Sequence, residues 1–278
     1  MRIDAHQHFW IYDAQEHTWI DDTMRTVQRD FLPTDLEPVL QQNGFDGCVT
    51  VQVAHSELET EWFLQMADQH HFIKGDVGWA DLQSQNVEAL LERLSAFPKL
   101  KGIRHVVQGE RDPEFLTRSA FRNGIKQLQR YNFTYDILIY PHQLKAAIDF
   151  AAAFPEQKFV LDHLAKPYIK KGLIDEWHGD LKKLAALDNV WCKVSGLVTE
   201  ANWQQHKPTD FVPYIEAALE AFGIDRLMFG SDWPVCLVAE SYENVVKIAY
   251  EVLKKFSKDE QEKFFGLNAI RFYNLNNT

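Results

Sequence analysis

A chain of 278 residues with 29 Lys and Arg against 40 Asp and Glu carries a net charge of −11, which leaves no basic face for nucleic acid. Hydrophobic residues at 46% supply a sizeable core, and the length fits one large α/β domain or two small ones. No stretch of about 18 apolar residues occurs and no signal-peptide pattern opens the chain, so a membrane partner is excluded and a cytoplasmic location is expected.

The first predicted element is the strand in "RIDAHQHFW" (2–10). Side chains alternate along a strand, so His6 and His8 share one face with Asp4 in line, and Gln7 points away. Two imidazoles so placed either hold a metal or position a proton, unless they are merely hydrogen-bonded at a strand end. An insertion follows over 9–31, carrying Phe9, Trp10, Tyr12 and Trp19. It is expected to wall or cover a pocket, or to plug the end of the fold.

Further apolar runs follow at 47–54, 73–82, 100–107, 134–140, 158–165, 190–196 and 226–234. Their starts lie about 25 to 45 residues apart, the length of a strand and its crossover helix. Helical spacing fills several gaps: Val87, Leu90, Leu91 and Leu94 form one stripe. The stretches 142–154 and 210–222 read likewise, the second starting its regular helix near Pro213. Ser257 and Glu260 stand at capping-box spacing before a last helix. No linker or repeat divides the chain. Residues 1–278 are therefore read as a single domain, a distorted (β/α)8 barrel with a long insertion after strand 1. A doubly wound sheet is the alternative, disfavoured because no glycine-rich turn follows the first strand. Cys48, Cys192 and Cys236 are odd in number and lie in or beside apolar runs, so buried free thiols are expected.

Barrel enzymes work at the C-terminal ends of their strands. Those ends carry His6 and His8 on strand 1, and Arg104 and His105 on opposite faces of strand 4. Tyr140 and His142 follow strand 5, Asp162 and His163 end strand 6, and Ser231 and Asp232 end strand 8. Closure of a barrel brings strand 8 beside strand 1, so a carboxylate meets two imidazoles, with a third arriving from strand 6. Such a set can hold a divalent ion or activate water. The remaining His17, His55, His70, His71, His178 and His206 read as ordinary surface or loop residues.

"IDAHQHFW", "VLDHLAKP" and "FGSDWP", in this order, resemble the amidohydrolase superfamily and, within it, the sugar-lactonase group. "VTVQVA", "GDVGWADL", "LKGIRH" and "GLNAIRFYNL" extend the resemblance along nearly the whole chain. It implies a barrel that opens lactones such as L-fuconolactone or L-rhamnonolactone. His6, His8, His163 and Asp232 match the family's metal-site positions. Binuclear relatives carry a modified lysine at the end of strand 4; here Lys101 lies at that strand's beginning. The resemblance therefore implies one divalent metal, zinc above others, or none.

In the expected reaction Asp232 takes a proton from water; a bound zinc polarises the carbonyl, and without a metal His163 and Arg104 supply positive charge or hydrogen bonds instead. His105, Tyr140, His142, Trp79 and Trp10 are candidate contacts to a small-molecule substrate, Trp233 a further apolar one. Tyr140 and His142 serve equally well as loop caps. A homo-oligomer is compatible with the composition. The rival activity is a metal-dependent decarboxylase or hydrolase of small aromatic or dicarboxylic acids. A non-catalytic binding module would have lost Asp232 or the histidine pair, and all three stand.

Overall fold

The structure, a computed structural model, describes residues 1–275. Eight parallel strands form one sheet in chain order, from β1 (Ile3–Gln7), β2 (Gly47–Val51), β3 (Ile73–Gly78) and β4 (Leu100–His105) to β5 (Thr134–Ile137), β6 (Phe159–Leu161), β7 (Val190–Val194) and β8 (Leu227–Phe229). The ring closes where the Asp232 amide donates to His6 O at 2.8 Å and the His8 amide to Trp233 O at 2.7 Å. An open doubly wound sheet would leave its first and last strands apart, so the (β/α)8 expectation holds.

Helices cover the outside: α1 (Pro33–Gln42), α2 (Glu57–Gln69), α3 (Val87–Ser95), α4 (Ser119–Leu128), α5 (Leu144–Ala152), α6 (Asp175–Ala185), α7 (Val212–Phe222) and α8 (Tyr242–Leu253). On α3 the predicted stripe buries Val87, Leu91 and Leu94. Pro213 occupies the first turn of α7, where its missing N–H has no partner to lose. Ser257 caps α9 (Lys258–Glu262): it accepts from the Glu260 amide at 3.3 Å, and its own amide donates to the Glu260 carboxylate at 2.8 Å. A π-helical turn then leads into α10 (Asn268–Tyr273). Among the described residues no helix is long and apolar enough to cross a membrane. The three cysteines are unpaired and buried, and burial pushes each thiol well above its ordinary pKa.

Two apolar layers hold the barrel. Inside, Ile3, Ala5, Val49, Val51, Val77, Val160, Trp191 and Met228 pack against Ala269, Phe272, Tyr273 and Leu275, so α10 stops the N-terminal mouth. Fully burying one such side chain contributes roughly 1.5–3 kcal/mol. The other layer joins the strands to the surrounding helices.

One strand departs from simple alternation. In β1, Asp4 pairs with Cys48 and Gln7 with Thr50, so β1 carries one extra residue between them. This β-bulge lets Ala5 face the inner layer and turns His6 inward immediately after it. Asp4 is thereby excluded from the histidine face. Its carboxylate accepts from the Ser231 and His6 amides at 2.9 and 3.2 Å, and burial raises its pKa to about 6. Gln7 points outward as expected, donating to Thr50 Oγ1 at 2.9 Å.

Candidate active site

The C-terminal ends of β1, β6 and β8 converge on a cavity of about 260 Å3 lined by His8, Arg104, His163, Lys166 and Asp232, with Trp19, Val53, Val106, Leu138 and Val235 among its walls. Three imidazoles surround one carboxylate oxygen. Asp232 Oδ1 lies 3.2 Å from His8 Nε2, 3.8 Å from His6 Nε2 and 3.9 Å from His163 Nε2.

Each ring is held by its other nitrogen. His8 Nδ1 donates to Val51 O at 2.7 Å, His163 Nδ1 bonds Ser195 Oγ at 2.8 Å, and His6 Nδ1 faces Asp162 Oδ1 at 3.3 Å. A ring nitrogen anchored in this way fixes the imidazole plane and aims the opposite nitrogen at a common point. Burial is the main reason that His6 and His163 have pKa values well below the usual 6.5, leaving neutral rings with lone pairs to offer. Burial raises the Asp232 carboxyl, but His163, His8 and Lys166 outweigh it and hold it below its ordinary 3.8. Three imidazoles and one carboxylate form a donor set suited to a single divalent ion. His6, His8 and Asp232 are close enough to share one, as are His6, Asp162 and His163.

Backbone strain places two of these groups. Asp232 has φ 59°, and His163, Leu164, Ala165 and Lys166 form a left-handed run at φ 53–57°. Non-glycine residues there cost roughly 1–2 kcal/mol each, a strain that persists where surroundings over-determine a functional turn. The Trp177 indole supports the run by donating to Leu164 O at 2.7 Å. The run also explains why β6 ends at Leu161, short of the predicted 158–165: left-handed residues cannot extend the ladder.

Glycines leave the room these rings need. A Cβ on Gly196, whose φ is 61°, would meet His163 Nδ1 at 2.5 Å; one on Gly230 would meet His6 Cβ at 2.6 Å. Gly196→Ala is therefore expected to lose about 1–3 kcal/mol of stability and to displace the His163 ring. Calorimetry read together with kcat/KM checks this; an unaltered Tm with unaltered turnover would contradict it.

Beneath the imidazoles lies a buried ionic network. Lys193 Nζ donates to Asp136 Oδ2 at 2.5 Å and lies 3.1 Å from Asp162 Oδ1 and 3.2 Å from His6 Nδ1. Tyr273 Oη donates to Asp136 Oδ2 at 2.7 Å, so α10 reaches the site from below. Burial disfavours ionised Asp162, but Lys193, His6 and Arg104 hold it well below the usual carboxylate range. Arg104 spends its N–H groups on the protein. It donates to Asp162 Oδ2 at 3.0 Å, to Gln52 Oε1 at 3.3 and 3.0 Å and to Gln52 O, while Nη1 lies 3.3 Å from His6 Nε2. Four of the five guanidinium donors thus meet oxygens of Asp162 and Gln52, and the fifth points at the His6 Nε2 lone pair that an ion would also use.

The remaining candidates are more scattered. Trp10 is 2% exposed and pinned by its indole bond to Arg29 O at 2.9 Å; its backbone pairs with Phe31, so it braces the insertion. Trp19, 43% exposed, is the insertion's tryptophan at the cavity. Trp79 and His105 sit on the outer side of β4: the Trp79 indole donates to His105 Nδ1 at 3.3 Å, and His105 Nε2 meets Glu110 at 2.8 Å. His55, an exposed loop residue as expected, stacks on His105 with centroids 4.0 Å apart. His17, by contrast, is buried against Trp10 and Tyr12. His142 lines a separate groove with Tyr168 and Trp177. Tyr140 has the Lys166 ammonium 5.7 Å from its ring centroid. Trp233 is buried against Phe9 and Phe31.

A metal-compatible His/Asp cluster at the C-terminal mouth of a (β/α)8 barrel defines a hydrolase-type centre. The amidohydrolase family model matches residues 3–275, and the chain belongs to that family. It is 38% identical to an L-fucono-1,5-lactonase of Burkholderia multivorans, over 99% of this chain and 96% of that protein. It is 35% identical, with the same coverage, to an L-fucono-1,5-lactonase of Burkholderia ambifaria. A crystal structure of a Burkholderia multivorans amidohydrolase with bound zinc superimposes with a TM-score of 0.95 at 37% identity, covering 99% of this chain and all of that one.

Proposed function

We propose that the protein hydrolyses a sugar lactone of the L-fuconolactone type at this site. The observation that carries the reading is the convergence of three imidazole Nε2 atoms on Asp232 Oδ1 at the cavity floor. Full-length likeness to two L-fucono-1,5-lactonases supports the substrate class.

Asp232, ionised at neutral pH, accepts a proton from the water that attacks the lactone carbonyl. The tetrahedral adduct then collapses, the ring C–O bond breaks, and the carboxylic acid of Asp232 returns its proton to the leaving oxygen. The Ser195 hydroxyl either donates to His163 Nδ1 or accepts from it. When it donates and no ion is held by His163, the His163 Nε2–H faces the cavity as a donor to the developing oxyanion; when it accepts, the Nε2 lone pair is left for an ion. Arg104 contributes charge and positions Asp162, since four of its five donors are engaged by Asp162 and Gln52. His6, His8, Asp232 and His163 would hold a zinc ion, which when bound supplies a Lewis acid at the carbonyl and lowers the pKa of water. Trp19 and the valines give the sugar an apolar wall.

A decarboxylase or hydrolase of aromatic or dicarboxylic acids needs cations free to bind carboxylates. The full-length likeness to two L-fucono-1,5-lactonases favours the lactone over such an acid. Three unpaired buried thiols fit a reducing cytoplasm. We take residues 1–278 to act as one catalytic domain.

Acid release from a panel of sugar 1,4- and 1,5-lactones, followed with a pH indicator, tests the assignment. Rapid opening of L-fucono-1,5-lactone is expected; no reaction with any freshly prepared lactone would overturn it. The metal assignment has its own readout. The purified protein should carry about one zinc per chain by elemental analysis, and His8→Ala should lose about 10–100-fold in zinc affinity. Equal zinc retention by both proteins would place the ion elsewhere.

A further inference from the structure

One charged side chain on the cavity wall, Lys166, contributes to the reaction above only through its field on Asp232 and has no contact to substrate assigned. Lys166 lines the cavity beside Asp232, with its side chain 17% exposed. It ends the left-handed run that begins at His163, and its amide donates to His163 O at 2.7 Å. The turn that positions a catalytic ring thus also fixes where this lysine starts.

Its ammonium is held loosely enough to serve a ligand. Glu200 Oε1 lies 3.8 Å away, a charge pair beyond hydrogen-bond length, and the Tyr140 ring lies 5.7 Å away. An ammonium has three donors, so N–H groups remain for the cavity. Val53, Val106, Leu138 and Val235 give the same cavity an apolar wall, beside the polar Gln108. A hydroxyl entering this space meets a cationic donor on Lys166, whose ammonium is paired behind by Glu200. Glu200 is 21% exposed at its side chain, so the pair is only partly open to competing water.

We propose that Lys166, held by Glu200, is a specificity residue that binds a hydroxyl of the polyhydroxylated lactone away from the reacting carbonyl. The proposal rests on the sugar-lactonase reading. Lys166 binds substrate; Glu200 is a positioning residue that acts through it.

Steady-state kinetics with L-fucono-1,5-lactone on the wild type, Lys166→Met, Lys166→Arg and Glu200→Gln test it. A contact to a remote hydroxyl contributes to binding in ground and transition states alike, so its loss is read mainly in KM. Lys166→Met should raise KM about 10- to 100-fold, the range for a hydrogen bond to a charged group, with kcat altered less than about threefold. Lys166→Arg, which keeps a cationic donor, should recover most of that loss, and Glu200→Gln should raise KM by less than Lys166→Met does. An unchanged KM in folded Lys166→Met overturns the proposal. A fall in kcat at constant KM also overturns it, because it places the ammonium in the chemical step. Should Lys166→Met fail to fold, Lys166→Arg and Glu200→Gln decide: KM unchanged in Glu200→Gln rejects the pair. A wild type that opens no sugar lactone removes the underlying reading instead, a separate and recognisable failure.

Discussion

Asp232→Asn is expected to lower kcat/KM for the lactone by about 10²–10⁴-fold while leaving the fold intact, the usual scale for a positioned acid–base group. Asn keeps the side chain's size and its capacity to accept from a neighbouring imidazole, so the loss isolates proton transfer and charge. The carboxyl lies below its ordinary pKa of 3.8, so the base is ionised across the neutral range and disappears only as pH falls through the lowered value. The acid limb of the rate profile should therefore lie below pH 3.8 wherever the protein remains folded. Circular dichroism of the variant establishes folding, and the pH indicator assay measures turnover. A folded Asn variant that retains near-native turnover removes Asp232 from the mechanism.

Lys193→Met should cost about 3–5 kcal/mol of stability, the scale for breaking a buried ion pair by removing one partner. Lys193, Asp136 and Asp162 are fully buried, and Met would leave two carboxylates facing each other across an apolar gap. Adding Asp136→Asn to Lys193→Met should recover part of the loss, because one uncompensated charge is then gone. Denaturant unfolding of the single and double variants gives the coupling directly. A loss under about 1 kcal/mol in Lys193→Met would mean that the network is no more than a surface-strength pair. Because Lys193 also lies 3.2 Å from His6 Nδ1, the single variant should weaken zinc binding as well.

Charged residues inside apolar runs were the available signals for that network. Asp136 lies within "TYDILIY" and Lys193 within "VWCKVSG", and a strand covered on both faces by apolar layers does not carry a charge without a partner. Partner identity depends on which strands adjoin and at what height, and no local pattern carries that. Lys166 was visible as the lysine of "DHLAKP", but its place on the cavity wall follows from four successive left-handed residues, a conformation that non-glycine residues rarely announce. Trp10 and Trp19 look alike in the sequence of the insertion. The antiparallel bridge between Trp10 and Phe31 buries the first and leaves the second at the cavity.

By itself the sequence determined the order and kind of the elements, because strand and helix spacing are local periodicities of apolar residues. It also determined that His6, His8, His163 and Asp232 stand at strand ends, which barrel closure brings together whatever the loops do. Tertiary structure alone decided the rest. The bulge in β1 removed Asp4 from the histidine face, since register is set by pairing with β2 rather than by β1's own alternation. The engagement of Arg104 by Gln52 and Asp162, the Asp136–Lys193–Asp162 network and the approach of Lys166 to Glu200 are contacts between distant segments. Their geometry exists only once the ring of strands has closed and α10 has sealed its base.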